Sequence, residues 1–179
     1  MKISELKNLI VLKNNILKDS EVILHHLKHD IIWDCSIMSR KTASFGIPYN
    51  YSNIQYKESK IPNFFDELIG FVKLFNGFVP NNCLINFYHD NKSKMGFHSD
   101  QIDILYKDTG IAIFSFGSSR ILRFKNKIDF NIIYDLLLEN NSYFYMSQEV
   151  QDEWLHSVLP DITNEKNERY SLTFRKIMF

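Results

Sequence analysis

From residue 83 onward the chain breaks into short runs of β-branched and aromatic residues: CLINFY (83–88), GIAIFSFG (110–117), RILRFK (120–125), NIIYDLLL (131–138), NSYFYM (141–146) and RYSLTFRKI (169–177). Each run has the length of a strand, and turn residues separate one from the next. Six or more short strands in succession bury their apolar faces by closing sheet on sheet. The first third has a different texture. KNLIVLK (7–13) predicts a strand, and Asp19-Ser20 predicts the cap of a helix over about 19–29, carried by Val22, Ile23, Leu24 and Leu27. Asn63 predicts the cap of a second helix over about 64–76, where Phe65, Leu68, Ile69, Val72 and Phe75 recur at helical spacing. The expected fold class is therefore α+β and mainly β, a jelly roll backed by two N-terminal helices.

At 179 residues the chain holds one sizeable core, so a single domain over 1–179 is expected. Its 45% hydrophobic and 15% aromatic content excludes a disordered chain. Lys plus Arg equals Asp plus Glu at 21 each, so a polyanion would have to be held by a local patch rather than by the global field. Cys35 and Cys83 are too few for a disulfide framework, which predicts two free, partly buried thiols and an intracellular, reducing compartment, cytoplasm or nucleus. The opening MKISELKNLIVLKNNILKDSE mixes charges into its apolar stretch, so neither secretion nor membrane insertion is expected. With no extended assembly surface in the pattern, a monomer is expected.

Chemistry enters at His98 and Asp100. One residue separates them, so in an extended segment both side chains share a face, with Cα atoms roughly 6–7 Å apart. A third ligand must come from elsewhere, and His156 in EWLHSVLP is the best placed. Two imidazoles and one carboxylate form the facial triad that leaves positions open on iron(II) for oxygen chemistry. An H-x-D pair by itself also occurs in chains that bind no metal. His25, His26 and His29 on the first helix, and His89 at a turn, are read as structural.

The final strand places Arg169, Ser171, Thr173 and Arg175 on one face and Tyr170, Leu172 and Phe174 on the other. Two arginines turned inward would need an anion to satisfy them, and a small dicarboxylate serves both. The other reading is a solvent-facing strand whose arginines are simply exposed. Asn86 and Tyr88 repeat the i, i+2 arrangement, as ligand contacts or as a buried structural pair.

Taken in order, N-x-Y (86–88), H-x-D (98–100), GIAIFSFGSSRILRF (110–124), W-x-H-S (154–157) and R-x-S-x-T-x-R (169–175) resemble the AlkB family of dioxygenases. The resemblance covers roughly residues 36–178, and RKTASFGIPYNYS with the ending LTFRKI is similar to the nucleic-acid demethylating members. It implies a double-stranded β-helix core over about 80–179, a nucleotide-recognition lid over about 36–60, and iron(II) on His98, Asp100 and His156. It also implies 2-oxoglutarate and O2 as cosubstrates. Arg169, Tyr88 and Ser171 would hold the distal carboxylate, Arg175 and Asn86 would face the metal-chelating end, and Thr173 would support that strand face. The family carries Asn where this chain has Ser171, and an acidic base-reading residue where it has Ile102. Asp103 is adjacent, but a one-residue slip reverses side-chain direction.

In the lid, the resemblance implies that Tyr51 stacks on a flipped base opposite His98, with Tyr49 as a polar neighbour. Arg40, Lys41, Lys57 and Lys60, with Arg120, Arg123, Lys125 and Lys127, would contact phosphates or else be ordinary solvated strand edges. The implied function is oxidative demethylation of N-alkylated bases in DNA or RNA, with formaldehyde, succinate and carbon dioxide as products. The alternatives are an oxygenase of the same core acting on a non-nucleic-acid or unmethylated substrate, and a non-catalytic nucleic-acid-binding module.

Overall fold

Alternation along a strand sends successive side chains to opposite sides, and here both sides of the central strands are covered. The structure, a computed structural model, describes residues 1–49, 55–161 and 168–178. Its elements run α1 (Ile3–Asn8), β1 (Ile10–Asn14), α2 (Glu21–His29), β2 (Lys41–Gly46), α3 (Asp66–Asn76), β3 (Asn82–Tyr88), β4 (Met95–His98), β5 (Ile111–Gly117), β6 (Arg120–Asn126), β7 (Ile133–Leu138), β8 (Ser142–Met146), α4 (Val150–Glu153), β9 (Trp154–Val158) and β10 (Arg169–Arg175). They form a six-stranded sheet, β1-β8-β5-β10-β3-β2, and a four-stranded sheet, β4-β9-β6-β7. The named strand pairs are all antiparallel.

Two apolar clusters hold three layers together. Cys83, Ile85 and Phe87 of β3, Ala112, Phe114 and Phe116 of β5, and Tyr170, Leu172 and Phe174 of β10 pack beneath Leu24, Leu27, Leu68 and Val72 of the helices. The opposite faces of the same strands, with Leu84, Ile111 and Ile113, meet Leu122, Phe124, Trp154 and Val158 of the smaller sheet. The polar face of β10 is therefore interior: Arg169, Ser171, Thr173 and Arg175 are all buried. The solvent-facing reading of that strand is thereby excluded.

Several local expectations shift. The strand expected over 7–13 divides into α1 and β1, because Leu6 is fully buried and the Glu5 carboxylate accepts the Lys2 N–H to start a helical turn. The first backing helix starts at Glu21, whose N–H is accepted by Asp19 Oδ1 at 3.0 Å, so Asp19 and not Ser20 supplies the bond. Asn63 caps nothing with its side chain. It opens a 3₁₀ turn (Asn63–Phe65) after Pro62, and α3 follows. Two strands escaped the periodicity altogether, β4 and β9, and both carry proposed ligands. The thiols differ: Cys35 is exposed and Cys83 is buried.

Gly46 ends β2 where the chain turns toward Tyr49. Its φ of +76° and the 2.0 Å that would separate a Cβ from the Asn81 carbonyl oxygen leave no room for a side chain. Gly46→Ala is expected to lower stability by about 2–3 kcal/mol, read from the urea midpoint. A second expectation follows from burial, which pushes the Cys83 thiol well above its usual range against the smaller opposing effect of Arg175. Alkylation of the native protein should add one label, at Cys35, and unfolding should be needed to label Cys83; mass spectrometry of the two states checks it.

Candidate active site between the two sheets

The metal-binding geometry begins with one register pair. β4 and β9 run antiparallel with His98 opposite His156, and their ring centroids lie 4.2 Å apart. Asp100 lies beyond the end of β4 and not on an extended strand. A loop contact supplies what the strand does not, since the Asp100 N–H donates to Gln151 Oε1 at 2.9 Å. Gln151 is itself buried, with its amide nitrogen 3.2 Å from Met146 Sδ. Its neighbour bonds hold the same loop: Ser99 Oγ donates to the Trp154 carbonyl at 3.2 Å and the Gln101 N–H to the Tyr49 hydroxyl at 3.0 Å.

Each of His98, Asp100 and His156 offers a ligand atom within 4.8 Å of the others. Three donors on one face of an ion with bonds of roughly 2.0–2.2 Å stand about 3 Å apart, so small side-chain rotations bring this set onto one ion. His98 Nδ1 lies 2.9 Å from the Gly96 carbonyl. A carbonyl only accepts, so Nδ1 carries the proton and Nε2 keeps its lone pair for a metal. Burial, helped by His98 and Arg175 and opposed by Asp100, lowers His156 to about 3, so its imidazole is neutral and ligand-ready. Burial pushes Asp100 up, but Arg175, His156 and His98 outweigh it and hold the carboxyl at about 2. The donor set is thus two imidazoles and one carboxylate, the chemistry that suits iron(II) with open positions.

Arg175 joins this centre to a second one. Its Nη2 donates to Asp100 Oδ2 at 3.0 Å, while Asp100 Oδ1 lies 3.6 Å from His98 Nε2. The guanidinium of Arg175 lies over the Tyr49 ring at 4.0 Å. Arg169, fully buried, donates from Nη2 to Ser115 Oγ at 2.8 Å and lies over the Tyr88 ring at 5.1 Å. In both arginines Nε and Nη1 are buried without a hydrogen-bond partner among the described residues. An unpaired buried donor costs about 1–3 kcal/mol, more when charged, so these groups are built for an anion. All of them line one cavity of about 230 Å³, with Asn86, Tyr88, Ser171 and Thr173 on its wall. A small dicarboxylate fits that donor set.

The proposed substrate contacts divide. Tyr49 lines this cavity. Tyr51 lies outside the described residues. Arg40 is no surface contact: it is buried, and its Nε donates to Asn86 Oδ1 at 2.7 Å, so it orients a cavity residue. Arg120 is likewise buried, donating to the carbonyls of Asp90 at 2.6 Å and Ser93 at 3.2 Å. Ile102 lines a different groove with Lys107 and Gln148, and Asp103 is exposed and absent from the cavity wall.

Sequence reasoning missed Gln151 and Ser115. Ser115 left a signal, a hydroxyl inside the apolar run IAIFSFG at the alternation that faces inward. Gln151 left none, because its role depends on α4 docking against the loop after β4. Gln151→Leu should weaken metal binding about ten- to hundredfold with the fold retained, measured by titrating the protein with cobalt(II) and following the ligand-field bands.

The family model described as "2OG-Fe(II) oxygenase superfamily" matches residues 28–175. Among curated proteins, "Alpha-ketoglutarate-dependent dioxygenase alkB homolog 3" of Rattus norvegicus is 27% identical over 182 residues, covering 90% of this chain and 61% of the relative. "DNA oxidative demethylase ALKBH2" of Bos taurus is 29% identical over 149 residues, covering 78% of this chain and 53% of the relative. The chain thus spans only about three fifths or less of the length of these relatives. The solved structure of OsALKBH1 superposes with a TM-score of 0.71 at 18% identity, covering 94% of this chain and 96% of that one, which establishes the same fold. A matched model over most of the chain, AlkB homologues across the same stretch and the shared two-sheet architecture place this chain in the 2OG-Fe(II) oxygenase superfamily, among its AlkB-like members.

Proposed function

We propose that this chain is an iron(II)- and 2-oxoglutarate-dependent dioxygenase that oxidatively removes alkyl groups from bases in DNA or RNA. The observation that carries the reading is a single cavity holding both the His98, Asp100 and His156 donor set and two buried guanidinium groups with unpaired donors. The name of one relative, "DNA oxidative demethylase ALKBH2", supports a nucleic-acid substrate. When bound, iron(II) with 2-oxoglutarate and O2 supplies hydroxylation of a C–H bond as the cosubstrate is oxidised to succinate and carbon dioxide; hydroxylation of an N-methyl group releases formaldehyde.

The chain's own residues position and shield. Arg169, backed by Ser115 and Tyr88, takes one carboxylate at the end of the cavity away from the metal. Arg175 keeps Asp100 ionised and, with Asn86, faces the metal-chelating end. Leu84, Ile113, Leu122, Leu138 and Val158 complete an apolar wall that excludes water, which strengthens each charged contact inside. Tyr51 in the lid is proposed to stack on the target base. The chain is proposed to act as a monomer, and its two unpaired thiols suit a reducing intracellular compartment. Among the described residues no helix is long and apolar enough to cross a membrane.

A second reading has its own observation. Among the described residues Asp100 is the one acidic residue on the cavity wall, and neither Ile102 nor Asp103 lines it, so the wall itself offers a base edge no carboxylate beyond Asp100. This favours an oxygenase of the same core with another substrate. Succinate formation with iron(II), 2-oxoglutarate and a panel of methylated single- and double-stranded oligonucleotides separates the two. Demethylation coupled to succinate, abolished in His98→Ala and reduced at least tenfold in Tyr51→Ala, is the expected result. Succinate formation indifferent to every oligonucleotide would move the substrate to another class.

A further inference from the structure

Resting on the nucleic-acid reading above, we propose that the outer face of the four-stranded sheet is a track for the single strand flanking the target base. In it Phe97 and Phe130 are stacking platforms and Lys125 is the phosphate contact. β4 is one of the two edge strands of that sheet. His98 turns into the cavity, while its neighbour Phe97 stands 41% exposed. Phe130, in the turn between β6 and β7, is 58% exposed. The Lys125 ammonium lies 4.8 Å from the Phe97 ring centroid and 5.6 Å from that of Phe130, so one cation serves two open π faces. On the other side of β6, the Phe124 ring sits 6.1 Å from that of His156. The patch is thus separated from the metal ligands by the thickness of one sheet.

The chemistry of this face matches a polynucleotide. Among the described residues neither Phe97 nor Phe130 stacks on another aromatic ring, so each has a face available to a base. Two neighbouring cations on the β6 side are spoken for: Arg123 is bound to Asp135 through two contacts of 2.7 Å, and Lys127 donates to the Gln151 carbonyl at 2.7 Å. Lys125 meets no carboxylate among the described residues; its contacts are the two rings. A base brought to the metal leaves its neighbours at the rim, where Phe97 on β4 begins a path that continues to Lys125 on β6 and Phe130 in the turn after it. Sequence-tolerant single-strand binding uses this pairing of π faces with positive charge.

The test is fluorescence anisotropy of an unmethylated single-stranded oligothymidylate of about 15 nucleotides, with the iron-loaded wild type and with Phe97→Ala, Phe130→Ala and Lys125→Ala. Each phenylalanine variant should weaken binding about tenfold, and Phe97→Trp should retain it. Lys125→Ala should lower the slope of log affinity against log salt by about one. Succinate formation in the absence of nucleic acid should be unchanged in all of them. A wild type that binds while all three alanine variants bind equally well overturns the track and leaves the nucleic-acid reading intact. A wild type that binds no oligonucleotide removes both. Sedimentation showing a dimer that these substitutions dissolve would assign the face to a second copy of the chain and overturn the proposal.

Discussion

Burying Arg169 and Arg175 on one face of β10 is the constraint around which the rest of the structure is arranged. A guanidinium withdrawn from water costs several kcal/mol unless charge or hydrogen bonds replace the lost hydration. The protein replaces part of it. Ser115 and the Tyr88 ring attend Arg169; Asp100 and the Tyr49 ring attend Arg175. The remainder, Nε and Nη1 of each, has no partner among the described residues. A strand can carry such a face only where a sheet lies on one side of a cavity and helices seal the other, and this is the position of β10 between β3 and β5.

The metal centre depends on the same strand. Arg175 binds the carboxylate oxygen of Asp100 that turns away from His98, so the anion site and the metal site share one residue. The two histidines meet through the pairing of β4 with β9, and the carboxylate joins them through a loop held by Gln151 and Tyr49. A change in that loop would move Asp100, Arg175 and Tyr49 together. Rigidity there comes from three independent contacts on consecutive residues, Ser99, Asp100 and Gln101.

Much of this was legible from residue order. The alternation of RYSLTFR identified a polar and an apolar face before any layer was known, and the spacing of His98, Asp100 and His156 nominated the ligands. β4 and β9 were not legible, because MGFH and WLHSV are four and five residues long and mix small, polar and apolar groups with no period to detect. Arg40 and Arg120 misled for a different reason. Side-chain charge predicts exposure on average, yet both are buried against specific acceptors, Asn86 in one case and the carbonyls of the turn after β3 in the other.

The sequence by itself determined the strand-rich class, the division of each central strand into two faces, and the residue types available for metal and anion binding, because those follow from local period and side-chain chemistry. Tertiary structure decided which face is interior, which oxygen of Asp100 is left for a metal, and that Gln151 and Ser115 brace cavity residues while Ile102 and Asp103 do not line the cavity. Those outcomes depend on contacts between residues distant in the chain. Such contacts are set by how sheets and helices close over one another, and no short-range pattern records them.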